Sequence, residues 1–413
     1  MKPVRIPVVA APAAPTARAN AASAGPAGAP AFAALPPLSL YVHFPWCVRK
    51  CPYCDFNSHA KTKDETIPEA RYLAALAHDL EACLPLVWGR RVHSVFIGGG
   101  TPSLMSASGF DTLLSTIRAL LPLEADAEIT LEANPGTFEA ERFGAYRASG
   151  ANRLSVGIQS FNAAHLRALG RIHDGDEARR AAAIAADIFG NFNLDLMYAL
   201  PGQTVGDLAA DLECALSFAP AHLSVYHLTL EPNTVFAKYP PTLPGDDAAA
   251  DMQELISSQL AGAGYEHYET SAYARPGRRA AHNVNYWRFG DYLGIGAGAH
   301  GKITFADRVT RTEKPRNPES YMAACKRPGA IGETRVVGAS DLPFEFMLGA
   351  LRLSDGFEAR LFAERTGLPL ANMAGELDAA VVRGLIERTS SRIAPTARGQ
   401  LFLNDLLEMF LKT

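Results

Sequence analysis

The chain has few of the features of a secreted, membrane-spanning or nucleic-acid-binding protein. It has only six cysteines in 413 residues, whereas secreted disulfide scaffolds are short and rich in cysteine. No apolar run reaches the roughly 18 residues that indicate a membrane span. Its 39 basic residues are outnumbered by 43 acidic ones, and proteins that bind nucleic acid are usually basic. We therefore expect a soluble, cytoplasmic protein with no nucleic-acid partner.

Residues 1–37 differ in composition from the rest of the chain. They contain fourteen alanines, eight prolines and three basic residues, and no acidic residue. Proline interrupts helices, so neither a secretory signal nor an amphipathic targeting helix is favoured. We predict a disordered Ala/Pro-rich tail over residues 1–37.

From Leu38 onwards, short apolar runs alternate with segments of helical period. Because six β-then-α units follow one another, the pattern predicts a parallel sheet with right-handed crossovers, either an open doubly wound sheet or an incomplete barrel. Both architectures bind ligands at the carboxyl ends of the strands. The strands read as almost wholly apolar, which is typical of strands covered on both faces. The candidate strands are Leu38–Phe44, His93–Gly98, Glu128–Ala133, Arg153–Ile158, Asn193–Tyr198 and His222–Leu228.

The remainder of the chain divides into two further regions. Residues 264–340 are predicted to be a mixed extension with strands over Tyr265–Tyr273 and Ile303–Val309. Residues 341–413 are predicted to be a helical domain, after a larger βα unit over residues 38–263. Its candidate helices are Phe344–Leu353, Phe357–Glu364, Leu370–Arg383 and Gly399–Leu411.

Three cysteines lie close together at the carboxyl end of the first strand. Cys47, Cys51 and Cys54 are spaced so that one tight loop can direct three thiolates at one centre. Three thiolates can hold three irons of a [4Fe–4S] cluster and leave the fourth iron free to bind a ligand. Zinc is the alternative, with His43 or His59 near enough to contribute, but structural zinc sites use four closed ligands. The other cysteines, which are predicted to be small core residues, are Cys83, Cys214 and Cys325.

Polar residues and glycines follow the apolar runs of the other strands. Gly98-Gly99-Gly100-Thr101-Pro102 ends the second strand, and a glycine segment lets backbone approach a ligand closely. Glu132, Gln159 and Asp195 lie at the ends of the next three strands. A single such residue is usually a cap or a loop residue, but their common position at one edge favours a binding site.

The three-cysteine spacing after a first strand resembles the signature of the radical S-adenosylmethionine (SAM) superfamily. Residues 38–413 are similar to the family of oxygen-independent coproporphyrinogen III oxidases and related heme chaperones. The resemblance implies a partial (β/α)6 parallel barrel with a C-terminal helical domain. It also implies a [4Fe–4S] cluster on Cys47, Cys51 and Cys54 together with SAM. By position, the implied SAM contacts are Tyr41, Tyr53, Gly99, Gly100, Thr101, Glu132, Gln159, Arg171 and Asp195.

Two places favour the chaperone branch of this family. The oxidases have a further cysteine where this chain has Phe56, and His282-Asn283-Val284-Asn285-Tyr286-Trp287 resembles the His-Asn-x-x-Tyr-Trp motif of the heme chaperones. Imidazole can ligate heme iron and an aromatic pair can pack on a porphyrin. We expect the heme contacts to be His282, Asn283, Tyr286 and Trp287.

The expected function is binding of heme and its transfer to acceptor proteins, membrane-associated respiratory enzymes among the candidates. The heme ligand of such a chaperone should be accessible, because heme has to be released again. The rival is a radical SAM coproporphyrinogen III oxidase, and no catalytic residue is assigned. Relatives also imply a homodimer linked to the cluster.

Gly296-Ala-Gly298-Ala-His300-Gly301 matches the dinucleotide-binding spacing. That motif requires a following helix, whereas the sequence after it has the pattern of a strand. We therefore predict a tight glycine turn there.

Overall fold

The computed structural model describes residues 30–61, 66–137, 140–327, 329 and 331–411. Residues 1–29 of the predicted tail lie outside these. The last part of that tail contacts the folded chain: the Ala31 amide donates to the carbonyl of Gly367 (3.2 Å) and the Phe32 amide to that of Ala306 (3.3 Å). Phe32 also packs against the core of the C-terminal region.

Six parallel strands form the centre of the molecule, as predicted. They pair in chain order, each parallel to the next. The large sheet that contains them is open rather than closed, so the fold is a partial (β/α)6 barrel. The strands are β1 (Leu38–Phe44), β2 (Val92–Gly99), β3 (Leu123–Ala133), β4 (Arg153–Gln159), β5 (Phe192–Tyr198) and β6 (His222–His227).

Helices connect these strands and cover the outer face of the sheet. Two of the longer ones begin with reciprocal capping boxes, at Asp174 with Glu177 and at Thr204 with Asp207, which satisfy backbone amides of the first turn. The helical period of the sequence predicts a helix over Phe138–Ser149, whose first two residues lie outside the described residues. The main helices are Glu69–Cys83, Ala107–Leu120, Ala140–Ser149, Gly175–Phe189, Val205–Ser217 and Asp246–Gly262, with short ones at Ala163–Ala168 and Val235–Lys238.

The prediction that the strands are almost wholly apolar is wrong for one face. In β1, Leu40 and Val42 are fully buried in the main core, whereas Ser39 and Tyr41 bond to other polar side chains of the barrel. Side chains alternate between the two faces of a strand. Because the inner face of an incomplete barrel surrounds a cavity, every second residue can be polar.

Residues 264–340 extend the same sheet at both ends. Glu266–Glu269 and Ala272–Ala274 continue it beyond β6, while Asp291–Ile295 pairs in parallel with β1 and is followed by His300–Thr304, Val309–Glu313 and Glu333–Val336. The predicted strand Ile303–Val309 is wrong, since a turn at residues 305–308 divides it. The strand after the glycine turn is confirmed. The described residues of this region form two helices: Ala281–Trp287, which we call the motif helix, and Pro318–Ala324.

The C-terminal region is helical around its own hydrophobic core. Its helices are Leu342–Ala350, Ala359–Thr366, Ala374–Val382, Ala397–Leu401 and Leu403–Glu408. It also contains a three-stranded antiparallel sheet that the sequence did not predict, formed by Phe357–Glu358, Arg392–Pro395 and Ile386–Arg388. These strands are two to four residues long, too short to produce a period. No helix among the described residues has the length and apolar character needed to cross a membrane.

A buried ion pair joins the first helix to the extension. Asp79 is fully buried on the helix face that packs against the sheet. It accepts from Lys314 Nζ (2.5 Å), from the Tyr321 hydroxyl (2.8 Å) and from the Gly296 amide (3.2 Å). These bonds fix the glycine turn and the helix Pro318–Ala324 against the barrel.

We predict that Lys314→Ala lowers the free energy of unfolding by about 3 kcal/mol, because it leaves the Asp79 carboxylate buried without its cation. Urea unfolding measures the change. Arg71→Ala is the matched control, since Arg71 and Glu319 join the same helix, Glu69–Cys83, to the extension through an exposed ion pair. Its loss should cost less than about 1 kcal/mol. Equal effects of the two substitutions would contradict the structural importance of the buried pair.

Candidate functional site

The cysteine loop begins where β1 ends and is closed by a short pair of strands, Trp46–Cys47 with His59–Ala60. Each sulfur has a polar neighbour. Thr101 Oγ1 lies 3.5 Å from Cys47 Sγ, an Arg171 guanidinium nitrogen lies 3.6 Å from Cys51 Sγ, and Ser58 Oγ lies 3.7 Å from Cys54 Sγ. Hydrogen-bond donors at the sulfurs suit thiolates that ligate iron.

The surroundings of Cys47 and Cys54 disfavour ionisation of these two thiols when no metal is bound. Burial raises the pKa of Cys47 and of Cys54, although hydrogen bonds from Thr101 and Ser58 oppose the shift. In the part of the chain that the structure describes, no three His, Cys, Asp or Glu side chains are arranged to hold a single metal ion. A [4Fe–4S] cluster makes a different demand, since each of its irons needs only one protein thiolate. Binding of iron to these thiols would release protons.

The glycine segment after β2 lies against the start of the cysteine loop. The Gly99 amide donates to Glu132 Oε2 (3.0 Å), and the Gly100 amide donates to the carbonyl of Phe44 (2.7 Å). Gly99 has φ +113°, and a Cβ on Gly100 would stand 2.6 Å from the Trp46 carbonyl oxygen. Glycine is therefore required at both positions for the backbone to pass this close.

A cavity of ≈ 380 Å³ opens at the carboxyl ends of the strands. We call it the barrel cavity. It brings together the three cysteines and every predicted SAM contact except Tyr41, whose hydroxyl lies 2.7 Å from His43 Nδ1 and which faces a second cavity. The predicted residues that line the barrel cavity are Cys47, Cys51, Cys54, Tyr53, Gly99, Gly100, Thr101, Glu132, Gln159, Arg171 and Asp195.

Two half-buried carboxyl groups, those of Glu132 and Asp195, line the barrel cavity. Burial, together with the nearby charge of Asp195, raises the pKa of Glu132 from 4.5 to about 8. Burial also raises the pKa of Asp195, although hydrogen bonds from Asn193, Ser224 and Ser155 oppose the shift. A cationic ligand would stabilise the ionised form of both groups. The sulfonium and the amine of SAM supply such charge.

Gln159 and Arg171 also line the barrel cavity. Gln159 ends β4 with φ +69°, an unusual conformation for a residue with a side chain. Arg171 donates to the Gly157 carbonyl (2.7 Å) as well as contacting Cys51, and it also bonds to Asn134. One guanidinium therefore connects the cysteine loop to the ends of two strands.

The His-Asn-x-x-Tyr-Trp motif is divided between two cavities. His282 and Asn283 face the barrel cavity, whereas Tyr286 and Trp287 line the second cavity. His282 is only 6% exposed. Its Nδ1 lies 3.1 Å from Glu128 Oε1, and its ring stacks on Phe96 with 4.1 Å between centroids. The expectation that the motif histidine is an accessible heme ligand is therefore not met.

The charge state of the His282–Glu128 pair follows from its burial. Burial would raise the pKa of Glu128, but the hydrogen bond from His282 and the charge of Arg153 lower it to about 2. Burial lowers the pKa of His282. A neutral imidazole that donates to an ionised carboxylate satisfies both groups.

The second cavity has a volume of ≈ 790 Å³ and adjoins the barrel cavity along Gly99, Glu132 and Phe96. We call it the outer cavity. Its wall includes residues of the cysteine loop, of the motif helix, of the strands after that helix and of the C-terminal helix Leu342–Ala350. It is the larger of the two, and its size is in the range of cofactor sites.

Sequence reasoning missed the polar residues deeper in the barrel. Arg153 and His222 are buried there beside Glu128. His222 bonds to Asn193 (2.7 Å) and to the Tyr268 hydroxyl (2.8 Å). The available signal was the alternation of polar and apolar residues, as in Glu128-Ile129-Thr130-Leu131-Glu132.

Comparisons with known proteins agree with this geometry. The model of the radical SAM superfamily matches residues 41–215, and that of the HemN C-terminal domain matches residues 339–402. The solved structure of coproporphyrinogen III oxidase (HemN) from Escherichia coli has a TM-score of 0.77 and 25% identity, covering 91% of this chain and 90% of the other. The fold is that of a radical SAM protein.

Curated relatives define the family more narrowly. The chain is 50% identical to the heme chaperone HemW of Escherichia coli, over 91% of this chain and 99% of the relative. It is 48% identical to HemW of Haemophilus influenzae, over 91% and 98%. The chain belongs to the HemW family. The radical SAM superfamily implies a [4Fe–4S] cluster and SAM, and the barrel cavity has the thiols, the glycine segment and the carboxyl groups for both.

We predict that Glu132→Gln stabilises the cofactor-free protein by on the order of 2 kcal/mol at pH 8 and has much less effect at pH 5. With a folded-state pKa near 8, Glu132 keeps a proton between pH 4.5 and 8 that the unfolded chain has lost. Stability therefore falls as the pH rises through that range. Urea unfolding at both pH values measures the difference.

Glu128→Gln is the control on the same strand, and its effect should have the opposite sign. The Glu128 pKa is lowered to about 2, so its contribution is complete above pH 4.5 and is lost as the pH falls towards 2. Glu128→Gln should destabilise the protein at pH 8. If both variants were destabilised at pH 8, the assignment of a buried, protonated Glu132 would be wrong.

Proposed function

We propose that the protein is a heme chaperone, which binds heme and transfers it to acceptor proteins. It carries a [4Fe–4S] cluster on Cys47, Cys51 and Cys54, with SAM in the barrel cavity. The observation that carries the proposal is the presence of two adjoining cavities, one framed by the cysteines and the strand ends, the other walled by aromatic residues. The relatives named heme chaperone HemW support it.

The residues around the barrel cavity have separate tasks in this proposal. When bound, the cluster supplies an open iron for the amine and carboxylate of SAM and an electron source. Glu132 and Asp195 balance the positive charge of SAM, and the glycine segment gives its methionine part access to backbone groups. Arg171 positions the cysteine loop through its contacts with Cys51 and Gly157. The proposed SAM contacts also include Tyr41, Tyr53, Thr101 and Gln159.

The proposal also includes the domain boundaries, the location and the partners of the protein. We take residues 38–263 as the barrel, 264–340 as the extension with the motif helix, and 341–413 as the C-terminal domain, with 1–37 as the tail. The proposed location is the cytoplasm. The proposed partners are heme, heme-acceptor proteins such as membrane-associated respiratory enzymes, and a second copy of the chain when the cluster is bound. Tyr286 and Trp287 line the outer cavity, where they can pack on heme.

The alternative function is oxidation of coproporphyrinogen III through radical SAM chemistry. Similarity to the oxidase structure along most of the chain favours it. Against it, the position of the additional oxidase cysteine is occupied by Phe56, which is exposed and lines both cavities. A phenylalanine lacks the thiol of that additional cysteine, so this part of the loop differs chemically from that of an oxidase.

We predict that the anaerobically reconstituted protein binds about one heme per chain and does not convert coproporphyrinogen III in the presence of SAM and a strong reductant. Hemin titration followed by absorbance, and a coproporphyrinogen assay on the same sample, test both parts. Measurable turnover of coproporphyrinogen III would favour the oxidase function. Absence of heme binding would contradict the chaperone function.

The cluster assignment is checked on the same preparation. Cys47→Ala, Cys51→Ala and Cys54→Ala should each abolish the broad iron–sulfur absorbance, since each thiolate holds one iron. Cys83→Ala and Cys214→Ala are the controls. Cys83 lies beside Asp79 and Lys314, outside the barrel cavity, and both variants should keep the cluster. Loss of the cluster in either control would contradict the three-cysteine assignment.

A further inference from the structure

Heme and SAM require separate space if one chain binds both. The barrel cavity, at ≈ 380 Å³, is lined by the residues assigned to the cluster and to SAM. His282, the histidine of the motif, has its Nδ1 bonded to Glu128 and lies within that same cavity. The outer cavity, at ≈ 790 Å³, has about twice the volume and is walled in part by Tyr286 and Trp287. The larger and more aromatic cavity suits a porphyrin better.

Three histidines border the outer cavity: His43, His59 and His300. Both ring nitrogens of His43 are engaged, with the Tyr41 hydroxyl at 2.7 Å and the Asn57 carbonyl at 2.9 Å. His59 Nε2 is enclosed by protein. The side chain of His300 is 56% exposed, and its nearest ionic partner, Glu313, stands 3.9 Å from Nε2. Of these three residues, His43 is buried, His59 is partly exposed and His300 is exposed, so the imidazole of His300 is the most accessible to a ligand.

We propose that heme binds in the outer cavity with His300 as its axial ligand, and that Lys50 and Arg316 bind its carboxylates. The inference rests on the proposed heme function and assigns its site. Glu313, whose Oε1 stands 3.9 Å from His300 Nε2, is close enough to help orient the imidazole.

The charged residues of the outer cavity differ in the ion pairs and hydrogen bonds that they already make within the protein. Arg311 is held by Glu345 (2.8 Å) and by the Tyr292 hydroxyl (2.8 Å), and Lys302 is buried against Asp291 (2.9 Å). By contrast, Lys50 Nζ donates to a backbone carbonyl, that of Phe56 (3.0 Å), and Arg316 makes one exposed contact with Glu313 (3.3 Å). Lys50 and Arg316 can therefore exchange weak contacts for charge-assisted bonds to carboxylates.

The cysteine loop connects the proposed heme site to the cluster. Asn57 Nδ2 donates to the carbonyls of Ala297 (2.9 Å) and Arg316 (2.9 Å). A Cβ on Gly298 would come within 2.3 Å of Asn57 Nδ2, so the turn that leads to His300 lies directly on this loop. Because Lys50 and Phe56 are on the same loop, cluster binding and heme binding should influence each other.

The test is a hemin titration of the reconstituted full-length protein, followed by the position and intensity of the Soret band. His300→Ala should shift the band and weaken hemin binding at least about tenfold, the effect of roughly 1.4 kcal/mol. Binding of iron-free protoporphyrin IX should be nearly unchanged in the same variant, because no axial bond is lost. His78→Ala is the matched control, since His78 is exposed on the helix Glu69–Cys83 beside Glu81.

The carboxylate contacts are tested with a second variant and a second probe. Lys50→Gln combined with Arg316→Gln should weaken binding of hemin about tenfold, through two lost charge-assisted bonds. The same double variant should bind hemin dimethyl ester as the unsubstituted protein does, because the ester carries no carboxylate.

Two results would contradict the assignment of the heme site to the outer cavity. One is an unchanged Soret band and affinity in His300→Ala, and the other is unchanged hemin affinity in the double variant. In both cases heme binding by the unsubstituted protein would still support the chaperone function. If the unsubstituted protein bound no hemin, the proposed function itself would fall together with the site.

Discussion

The inner face of the six-stranded sheet consists largely of polar and charged side chains that are withdrawn from water. A buried charge is costly unless it is paired or neutralised. Glu128 is paired with His282 and Arg153. Glu132 lies four residues further along the same strand, closer to its carboxyl end, and has a pKa raised to about 8. Glu128 at the deep end of the barrel is thus paired within the protein, whereas the ionised form of Glu132 at the open end would be stabilised by a cationic ligand.

The motif helix completes this arrangement. It closes the deep end of the barrel through His282, and Asn285 ties it to β1 and to the next strand through Ser39 (2.9 Å) and the Asp291 carbonyl (2.9 Å). Its other residues, Tyr286 and Trp287, reach the outer cavity. One short helix therefore supports both cavities. Substitutions in the motif can alter heme binding through the position of this helix, without direct contact between His282 and heme.

Much of the fold could be predicted from the sequence. All six barrel strands and their helices follow from local periodicity, and the glycine turn before His300 was recognised because a strand follows it. The three cysteines and all the predicted SAM contacts except Tyr41 meet in one cavity because parallel strands end at the same edge. The Asp79–Lys314 pair could not be predicted, since its members are far apart in sequence and Asp79 lies within an apolar helix face. The short C-terminal strands and the separation of the motif between two cavities likewise depend on tertiary contacts.

The central claim is that one chain has two adjoining sites, one for SAM at the cluster and one for heme. The most direct test is the stoichiometry of SAM binding to the reconstituted protein before and after it is saturated with heme, measured by equilibrium dialysis. The account predicts one SAM per chain in both states, with at most a moderate change in affinity. Displacement of SAM by heme, one molecule for one, would show that the two ligands share a single site and would contradict the account.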